Sequence, residues 1–390
     1  MSHRYLVITE LYLPTKGGTA VWFDEVYRRI GGKEIHVVTA DVPGAAEHDA
    51  SHANSVHRVG LARHRWLRPE SLAMYVKLLA KSLSLALSNR FDAVHAGRVL
   101  PEGLVAWVVA RLIRKPLVVY AHGEEITTWR QPAKLRAMAF VYHHADRVVA
   151  NSDFTREELL KLGVKAERIV LIHPGVDVDR FTGGLETKDL LQSLGLSNKQ
   201  KLIVSTGRLS RRKGFDQVIR ALLGLVSDGV DAHYAIIGIG EDDRYLRDLA
   251  NSEGVQDRVH MLGHVSAEDL PRWFNAADVF AMPNREINGD NEGFGMVFIE
   301  AGACGTPVVA GKAGGTGSAV VDGETGFRVD GADVMQVAKS LRSLCEDSEL
   351  ASRMGQLASF RVREHFSWLN VAERTVSLMS RIDEERRKGL

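Results

Sequence analysis

A buried strand that runs into a glycine loop and then a helix is predicted twice in this chain. Residues 4–18 read RYLVITELYLPTKGG, and residues 201–214 read KLIVSTGRLSRRKG. A strand, a loop and a helix in this order form the first half of a doubly wound α/β unit. Because 390 residues are also many for a single hydrophobic core, the repeat predicts two Rossmann-like domains.

Short apolar segments predict the other strands, and apolar residues at helical spacing predict the helices between them. The strands are expected at residues 35–39, 92–96, 116–121, 148–150, 169–172, 235–240, 259–262, 279–282 and 308–310. One predicted helix, residues 72–87, carries an apolar stripe of Leu72, Val76, Leu79, Leu83 and Leu87. Strands that alternate with helices favour parallel sheets.

Composition excludes several other classes of protein. The chain is 25% charged and 45% hydrophobic, as ordinary globular proteins are. Its two cysteines, Cys304 and Cys345, imply no disulfide framework, which fits a reducing cytosol. The N-terminal segment is expected to be a first strand and not a signal peptide, and no apolar run is long enough to span a membrane. We therefore expect a cytoplasmic protein.

Residues 289–311, GDNEGFGMVFIEAGACGTPVVAG, predict a ligand site. Gly293 and Gly295 predict a tight loop, and the apolar run after them predicts a helix that ends before Pro307. A helix that begins at such a loop presents free N–H groups to an anion, usually phosphate. Glu292 lies in the loop and Glu300 about one turn inside the helix, and both can accept sugar hydroxyls. The pattern suits a nucleotide-diphosphate sugar.

A second phosphate-binding element is predicted in the loop after the strand that begins at Lys201. The loop carries four cations within six residues, namely Arg208, Arg211, Arg212 and Lys213. Cations held between a buried strand and the start of a helix can clamp a polyanion. A solvated charge run is the alternative interpretation.

Three further features lie where predicted strands end. Gly17 and Gly18 allow a backbone to approach a phosphate closely. His122 follows a buried strand and precedes a glycine, which places it at the ligand-binding edge of the sheet. Asp177 and Asp179 match a D-x-D metal pattern, but they lie in a Pro/Gly turn, and we reject a metal role for them.

Residues 42–57 are polar and contain His48, His52 and His57. Histidines at such spacing can be metal ligands, but we expect no cysteine or acidic cluster to complete a site. We expect a solvated loop.

These motifs resemble glycosyltransferase family 4, which has the GT-B fold and acts with retention of configuration. The resemblance rests on the two glutamates eight positions apart in EGFGMVFIE, on EAGACGTPVVAG, on DGETGF at residues 322–327, and on GRLSRRKG. It covers nearly the whole chain and is weakest at residues 41–100.

The family resemblance implies a role for each candidate residue. Arg208, Lys213 and the backbone of Gly17 and Gly18 would bind the donor diphosphate. His122 and Glu292 would lie against the donor sugar, and Glu300 would bond the ribose. Catalysis would involve His122, Glu292, Arg208 and Lys213, and further donor contacts are expected from Gly263, Gly293, Phe294, Gly295, Met296 and Val297.

The implied reaction is transfer of a hexose from a nucleotide-diphosphate sugar, without a metal cofactor, to a glycan or a polyprenol- or lipid-linked acceptor. The leading hypothesis for the donor is GDP-mannose, and a UDP-sugar donor is the alternative. A sugar-nucleotide epimerase, a phosphorylase or a non-catalytic binding module remain as other classes. No nucleic-acid partner is expected.

The sequence also predicts domain boundaries and a surface for the acceptor. We expect an acceptor-binding domain over residues 1–182, a donor-binding domain over 183–367 and a helix over 368–390 that packs back on the first domain. Residues 58–81 carry six basic side chains against one acidic one. Arg63, Arg65, Trp66 and Arg68 of this window could attach the enzyme peripherally to an anionic membrane. A solvated helix face is the alternative.

Overall fold

The computed structural model describes residues 4–61 and 71–388, and their contacts divide the chain into two compact units. The first unit comprises residues 1–174 together with 368–390, and the second comprises residues 175–367. The last helix of the chain thus belongs to the first unit, where Arg147 forms an ion pair with Glu385.

In the described part of the first unit, seven parallel strands form the sheet, in the order β3-β2-β1-β4-β5-β6-β7. They are β1 (Tyr5–Ile8), β2 (His36–Ala40), β3 (Ser55–Val59), β4 (Ala93–Ala96), β5 (Leu117–Ala121), β6 (Arg147–Ala150) and β7 (Ile169–Leu171). Every residue of β1, β4 and β5 is buried, which is why these strands have no alternating pattern. The strand order reverses between β1 and β4, and open α/β sheets bind ligands at such a point.

Within residues 4–61, 71–174 and 368–388, eight helices cover this sheet. They are α1 (Gly18–Tyr27), α2 (Ala45–Ala50), α3 (Leu72–Ser88), α4 (Leu104–Ile113), α5 (Glu124–Thr128), α6 (Pro132–His144), α7 (Asp153–Lys161) and, at the end of the chain, α16 (Trp368–Arg387). The segment Val99–Gly103 forms an irregular turn before α4, and 3-10 turns lie at Gly32–Glu34 and Ala166–Arg168.

Six parallel strands form the sheet of the second unit, in the order β10-β9-β8-β11-β12-β13. They are β8 (Lys201–Thr206), β9 (Ala232–Ile237), β10 (Val259–Gly263), β11 (Val279–Met282), β12 (Val308–Gly311) and β13 (Gly326–Val329). Here the order reverses between β8 and β11. The loops that follow these two strands carry the cation cluster and Glu292, so the topology brings both predicted motifs to one edge.

The second unit has helices on both faces of its sheet. They are α8 (Lys188–Ser193), α9 (Phe215–Ser227), α10 (Asp243–Ser252), α11 (Leu270–Ala276), α12 (Met296–Ala303), α13 (Thr316–Ala319), α14 (Val334–Glu346) and α15 (Ser348–His365). The 3-10 turns Arg211–Lys213 and Gln256–Arg258 precede α9 and β10. With two parallel sheets flanked by helices, the structure confirms the predicted fold class.

The expectation of a solvated loop over residues 42–57 is wrong. This segment contains α2 and the edge strand β3, and His52 and Asn54 are only 7% and 1% exposed. Every residue of β3 is partly exposed, so the strand lacks the continuous apolar run that identified the central ones.

The apolar stripe predicted on α3 is also only partly a core face. Met74, Leu78 and Leu85 are the buried apolar residues of this helix, whereas Leu72, Val76 and Leu87 are exposed. Within residues 4–61 and 71–388, no helix is both long and apolar enough to cross a bilayer.

Candidate active site

The loop before α12 forms an anion-binding geometry in the second unit. Gly295 lies at the N-cap of α12 with φ of 88°, a left-handed conformation that favours glycine. A Cβ at this position would lie 2.5 Å from the ring of Phe298, so even a small side chain does not fit. Gly295 has no side chain to cap the helix. The Phe298 N–H donates to the Gly295 carbonyl at 3.0 Å, which leaves the N–H groups of Met296 and Val297 for a ligand.

Glu292 lies at the centre of a compact charge cluster beside this helix start. Its Oε2 accepts from Lys213 Nζ at 2.6 Å and from Arg212 Nη1 at 2.8 Å. Arg212 Nε also lies 3.1 Å from Asp290 Oδ1. Burial opposes ionisation of Glu292, but the charges of Lys213 and Arg212 outweigh it and hold the pKa of this carboxyl below its usual range. Two cations therefore stand beside the α12 N-terminus in a fixed arrangement.

The four cations of the 208–213 loop have different partners and do not form one cluster. Arg208 has a 75% exposed side chain, and its Nε lies 3.1 Å from Glu241 Oε2. Arg211 bonds Asp242 and stacks on the ring of Tyr245. Only Arg212 and Lys213 reach Glu292. The sequence singled out Arg208 and Lys213, and it missed the position of Arg212.

Glu300 lies one turn inside α12, on a partly exposed position. Burial raises its pKa to about 7, while the nearby charge of Arg180 acts in the opposite direction. In its ionised form, this carboxyl accepts a hydrogen bond from a hydroxyl more strongly than the protonated form does.

The other predicted donor residues lie at this helix start, except for Gly263, which ends the edge strand β10. Phe294 is buried, and Gly293, Met296 and Val297 are partly exposed. Gly263 ends β10 with φ of 64°. The loop after β12 fixes the backbone of Glu292, because Gly315 N–H donates to the Glu292 carbonyl at 2.7 Å.

In the first unit, Gly17 and His122 lie near the point where the strand order reverses, between β1 and β4. Gly17 is exposed, has φ of 134° and precedes α1, so its backbone is open to a ligand. His122 follows β5, and its Nε2 lies 2.8 Å from the Gly97 carbonyl. This bond makes Nε2 the protonated nitrogen and leaves Nδ1 as an acceptor in the neutral ring. Burial lowers the pKa of His122, which favours that neutral form.

Glu102 is a buried carboxyl of the first unit that the sequence did not single out. It is fully buried, and its Oε1 accepts from the Glu10 N–H at 2.9 Å. Burial raises its pKa. Nothing in the local sequence, VLPEG, distinguishes it from a surface acid at the start of a helix.

Of the remaining candidates, Asp177 has contacts that indicate a structural role, and four others lie outside the described residues. Asp177 Oδ1 accepts from the backbone N–H groups of Asp179 and Arg180, so this carboxylate closes a turn. Arg63, Arg65, Trp66 and Arg68 fall within residues 62–70, outside the described residues.

Comparison with known families gives two matches that together cover most of the chain. Residues 16–180 match the family described as Glycosyltransferase Family 4, and residues 186–359 match the Glycosyl transferases group 1.

Among curated proteins, a similar relative is the GDP-mannose-dependent alpha-(1-6)-phosphatidylinositol monomannoside mannosyltransferase of Mycolicibacterium smegmatis. It is 30% identical over 98% of this chain and 99% of the relative. A D-inositol 3-phosphate glycosyltransferase of Streptomyces avermitilis is 32% identical over 76% of this chain and 67% of the relative. Among solved structures, Anabaena Alr3699/HepE in complex with UDP superposes with a TM-score of 0.83, at 22% identity over 97% of this chain and 99% of the other.

Proposed function

We propose that this chain, which belongs to glycosyltransferase family 4, transfers a mannosyl unit with retention from GDP-mannose to a phosphatidylinositol mannoside or a closely related glycolipid. The fold and the enzyme class follow from family membership. The donor and the acceptor are inferred from the Mycolicibacterium smegmatis relative, whose sequence matches along nearly its full length.

One observation supports the reaction more than any other: Lys213 and Arg212 both contact Glu292 beside the uncapped N-terminus of α12. A departing nucleoside diphosphate develops negative charge, and fixed cations and helix N–H groups stabilise such charge without reorganisation. Glu292 holds the cations in place before the donor binds, and it is then available to accept a hydroxyl of the sugar.

We assign the remaining roles by the same reasoning. Arg208 would leave Glu241 to meet the donor phosphates, and Glu300 would accept from the ribose. Gly17, Gly18 and His122 of the first unit are proposed donor contacts by family resemblance, and Gly263 is proposed beside the base. No metal ion is needed at the donor, since Lys213, Arg208 and Arg212 supply the positive charge that a metal would otherwise provide.

A water-soluble inositol phosphate is the second candidate acceptor. It is supported by the 32% identity to the Streptomyces avermitilis relative, although that match covers less of both chains.

A donor and acceptor panel tests this proposal. GDP-mannose, UDP-glucose, UDP-galactose and UDP-N-acetylglucosamine are each incubated with phosphatidylinositol monomannoside or with inositol 3-phosphate, with and without EDTA. We expect transfer only from GDP-mannose to the lipid acceptor, at the same rate in EDTA when assayed well below the unfolding temperature. Transfer from a UDP-sugar would overturn the donor, and activity that requires added manganese would overturn the role of the cations. Epimerised nucleotide sugar without transfer would point to the other enzyme class.

A further inference from the structure

Three side chains that can bind a metal ion converge in the first unit, away from any role proposed above. Asp24 lies on α1, His48 on α2, and His52 two residues after the end of α2. The Nε2 atoms of His48 and His52 each lie 3.0 Å from the same oxygen, Asp24 Oδ1. Asp24 is 1% exposed and His52 is 7% exposed, so the cluster is largely removed from water.

The two histidines lie within ion-pair distance of Asp24, but their geometry does not form hydrogen bonds with it. Both carboxylate oxygens of Asp24 are buried and lack a hydrogen-bond partner among the described residues. A buried carboxylate in this state is unfavourable unless a nearby positive charge compensates it. Arg28 Nη1 is 3.9 Å from Oδ2 and belongs to a half-exposed side chain, so it compensates only in part.

The two N···O distances are close to those that a shared cation would produce. Ligand atoms around a tetrahedral zinc ion, with bonds of about 2.0–2.1 Å, lie roughly 3.3 Å apart. The two distances to Asp24 Oδ1 are 3.0 Å, and the candidate ligand atoms of the three residues all lie within 4.8 Å of one another. A metal between three such atoms also lies off each N···O line, and neither contact with Asp24 forms a hydrogen bond.

The outer contacts of His48 suit a metal ligand. Its Nδ1 lies 2.9 Å from Asp49 Oδ1, and Arg58 holds Asp49 through two bonds of 2.7 and 2.8 Å. A carboxylate on Nδ1 keeps the proton on that nitrogen and leaves the Nε2 lone pair for a metal.

His52 sets a limit on the affinity. The Asn54 N–H lies 3.1 Å from His52 Nδ1, and the Tyr12 hydroxyl lies 3.4 Å from His52 Nε2. A metal on Nε2 requires the proton of His52 to move to Nδ1, which sacrifices the bond from Asn54. We therefore expect binding weaker than that of a structural zinc site in a zinc finger.

We propose that Asp24 Oδ1, His48 Nε2 and His52 Nε2 bind a divalent first-row transition-metal ion, for which zinc is the probe. Imidazole and carboxylate ligands in this number suit such ions. The metal would fasten the segment 45–52 to α1, the helix that begins at Gly18. Its role is structural, so the proposal does not depend on which sugar the enzyme transfers.

Metal binding by the full-length, chelator-treated protein tests the proposal. Zinc is titrated by calorimetry, cobalt is titrated by its visible absorption, and the melting temperature is measured with and without zinc. We expect one zinc ion per chain, cobalt bands typical of mixed nitrogen and oxygen ligands, and a rise in melting temperature of roughly 3–8 °C at a hundredfold excess over Kd. Magnesium should give none of these effects.

Matched variants decide between this site and other histidines. His48→Gln should lose the zinc ion and the cobalt bands, whereas His143→Gln, which removes an exposed histidine of α6, should keep both. Asp24→Asn is the second variant, because it removes the charge at nearly constant volume. Equal zinc binding by wild type and His48→Gln would overturn the proposal. So would the absence of stoichiometric binding by the wild type.

Discussion

At the scale of single residues, we propose that the cations of the second unit's charge cluster exchange partners when the donor binds. Lys213 and Arg212 share one oxygen of Glu292, so that carboxylate offsets part of their charge while no donor is bound. A diphosphate carries more negative charge than one carboxylate and offers several oxygens. Donor binding would therefore draw the cations from Glu292 to phosphate and free Glu292 for the sugar.

The first prediction concerns these cations. Lys213→Ala should lower kcat by at least ~100-fold, because it removes a charge that stabilises the leaving group in the transition state. Arg212→Ala and Arg208→Ala should act in the same direction. Steady-state kinetics with GDP-mannose measure the effect, and Arg244→Ala is the control, because the side chain of Arg244 is 94% exposed. A Lys213→Ala enzyme with near-normal kcat would show that the phosphate assignment is wrong.

The second prediction concerns pH and Glu300. Because burial raises its pKa to about 7, the group is mostly protonated at pH 6 and mostly ionised at pH 8. Ribose hydroxyls bond a carboxylate more strongly than a carboxylic acid, so GDP affinity should rise by up to about tenfold across this range. Calorimetric Kd values at several pH values measure it. Glu300→Gln should bind GDP more weakly with a flat profile, and an equally steep profile in that variant would exclude Glu300 as the cause.

The raised pKa of Glu300 also makes the stability of the fold decrease as the pH rises. Its pKa in the folded chain lies above the ordinary value of 4.5, so the folded state retains the proton between about pH 4.5 and 7. The stabilising contribution of the protonated group is complete below this window and is lost as the pH rises through it. Without ligand, wild type should therefore lose stability relative to Glu300→Gln between pH 5 and pH 8.

At the scale of elements, the start of α12 could be predicted from sequence because its cause is local. Gly295 adopts a left-handed conformation, and the apolar residues after it pack into the core, with Phe298 and Ile299 buried. The segment 45–59 could not be predicted in this way. Its helix and edge strand are polar, and His52 and Asn54 are buried by contacts with α1 and with Tyr12, which are distant in sequence.

The third prediction tests the geometry of the α12 N-terminus. Gly295→Ala should destabilise the protein by about 1–3 kcal/mol, because alanine is strained at φ of 88° and its Cβ would meet the Phe298 ring. GDP should also bind more weakly. Calorimetric unfolding and GDP titration measure the two effects. Gly224→Ala is the matched control: Gly224 lies inside α9 with open space around it, and alanine there should be neutral or stabilising. Similar behaviour of the two variants would contradict a special role for Gly295.

At the scale of the whole molecule, the repeated strand–loop–helix pattern was sufficient to predict two parallel-sheet units. It was sufficient because each repeat begins with a buried strand, β1 or β8, beside the switch point of its sheet. The pattern could not predict which side chains meet. Arg208 and Arg212 lie in one loop, but only Arg212 contacts Glu292, and this depends on the path of the loop after β11.

The fourth prediction concerns attachment to membranes. Exposed Leu72, Val76 and Leu87 on α3 follow the basic residues 63–68 in the chain, and apolar and basic groups together favour an anionic lipid surface. We predict that the protein co-sediments with vesicles of phosphatidylglycerol and phosphatidylcholine, but not with phosphatidylcholine alone. High salt should release it, because the Debye length falls to about 3 Å at 1 M.

Two triple variants separate this attachment from the effect of net charge. Replacement of Arg63, Arg65 and Arg68 by serine should abolish sedimentation and leave GDP binding intact. The control replaces three exposed cations of the second unit by serine, namely Lys199, Arg244 and Arg353. Equal sedimentation of both variants and wild type would leave residues 58–81 as an ordinary solvated surface.

The most direct test of the proposed function is the anomeric configuration of the product. GDP-mannose labelled with 13C at C1 is incubated with phosphatidylinositol monomannoside and the full-length enzyme, and the one-bond C1–H1 coupling of the new linkage is measured by NMR. We predict a single new α-mannosyl linkage, the configuration of the donor. A β linkage would contradict retention, and the absence of any labelled product from GDP-mannose would contradict its assignment as the donor.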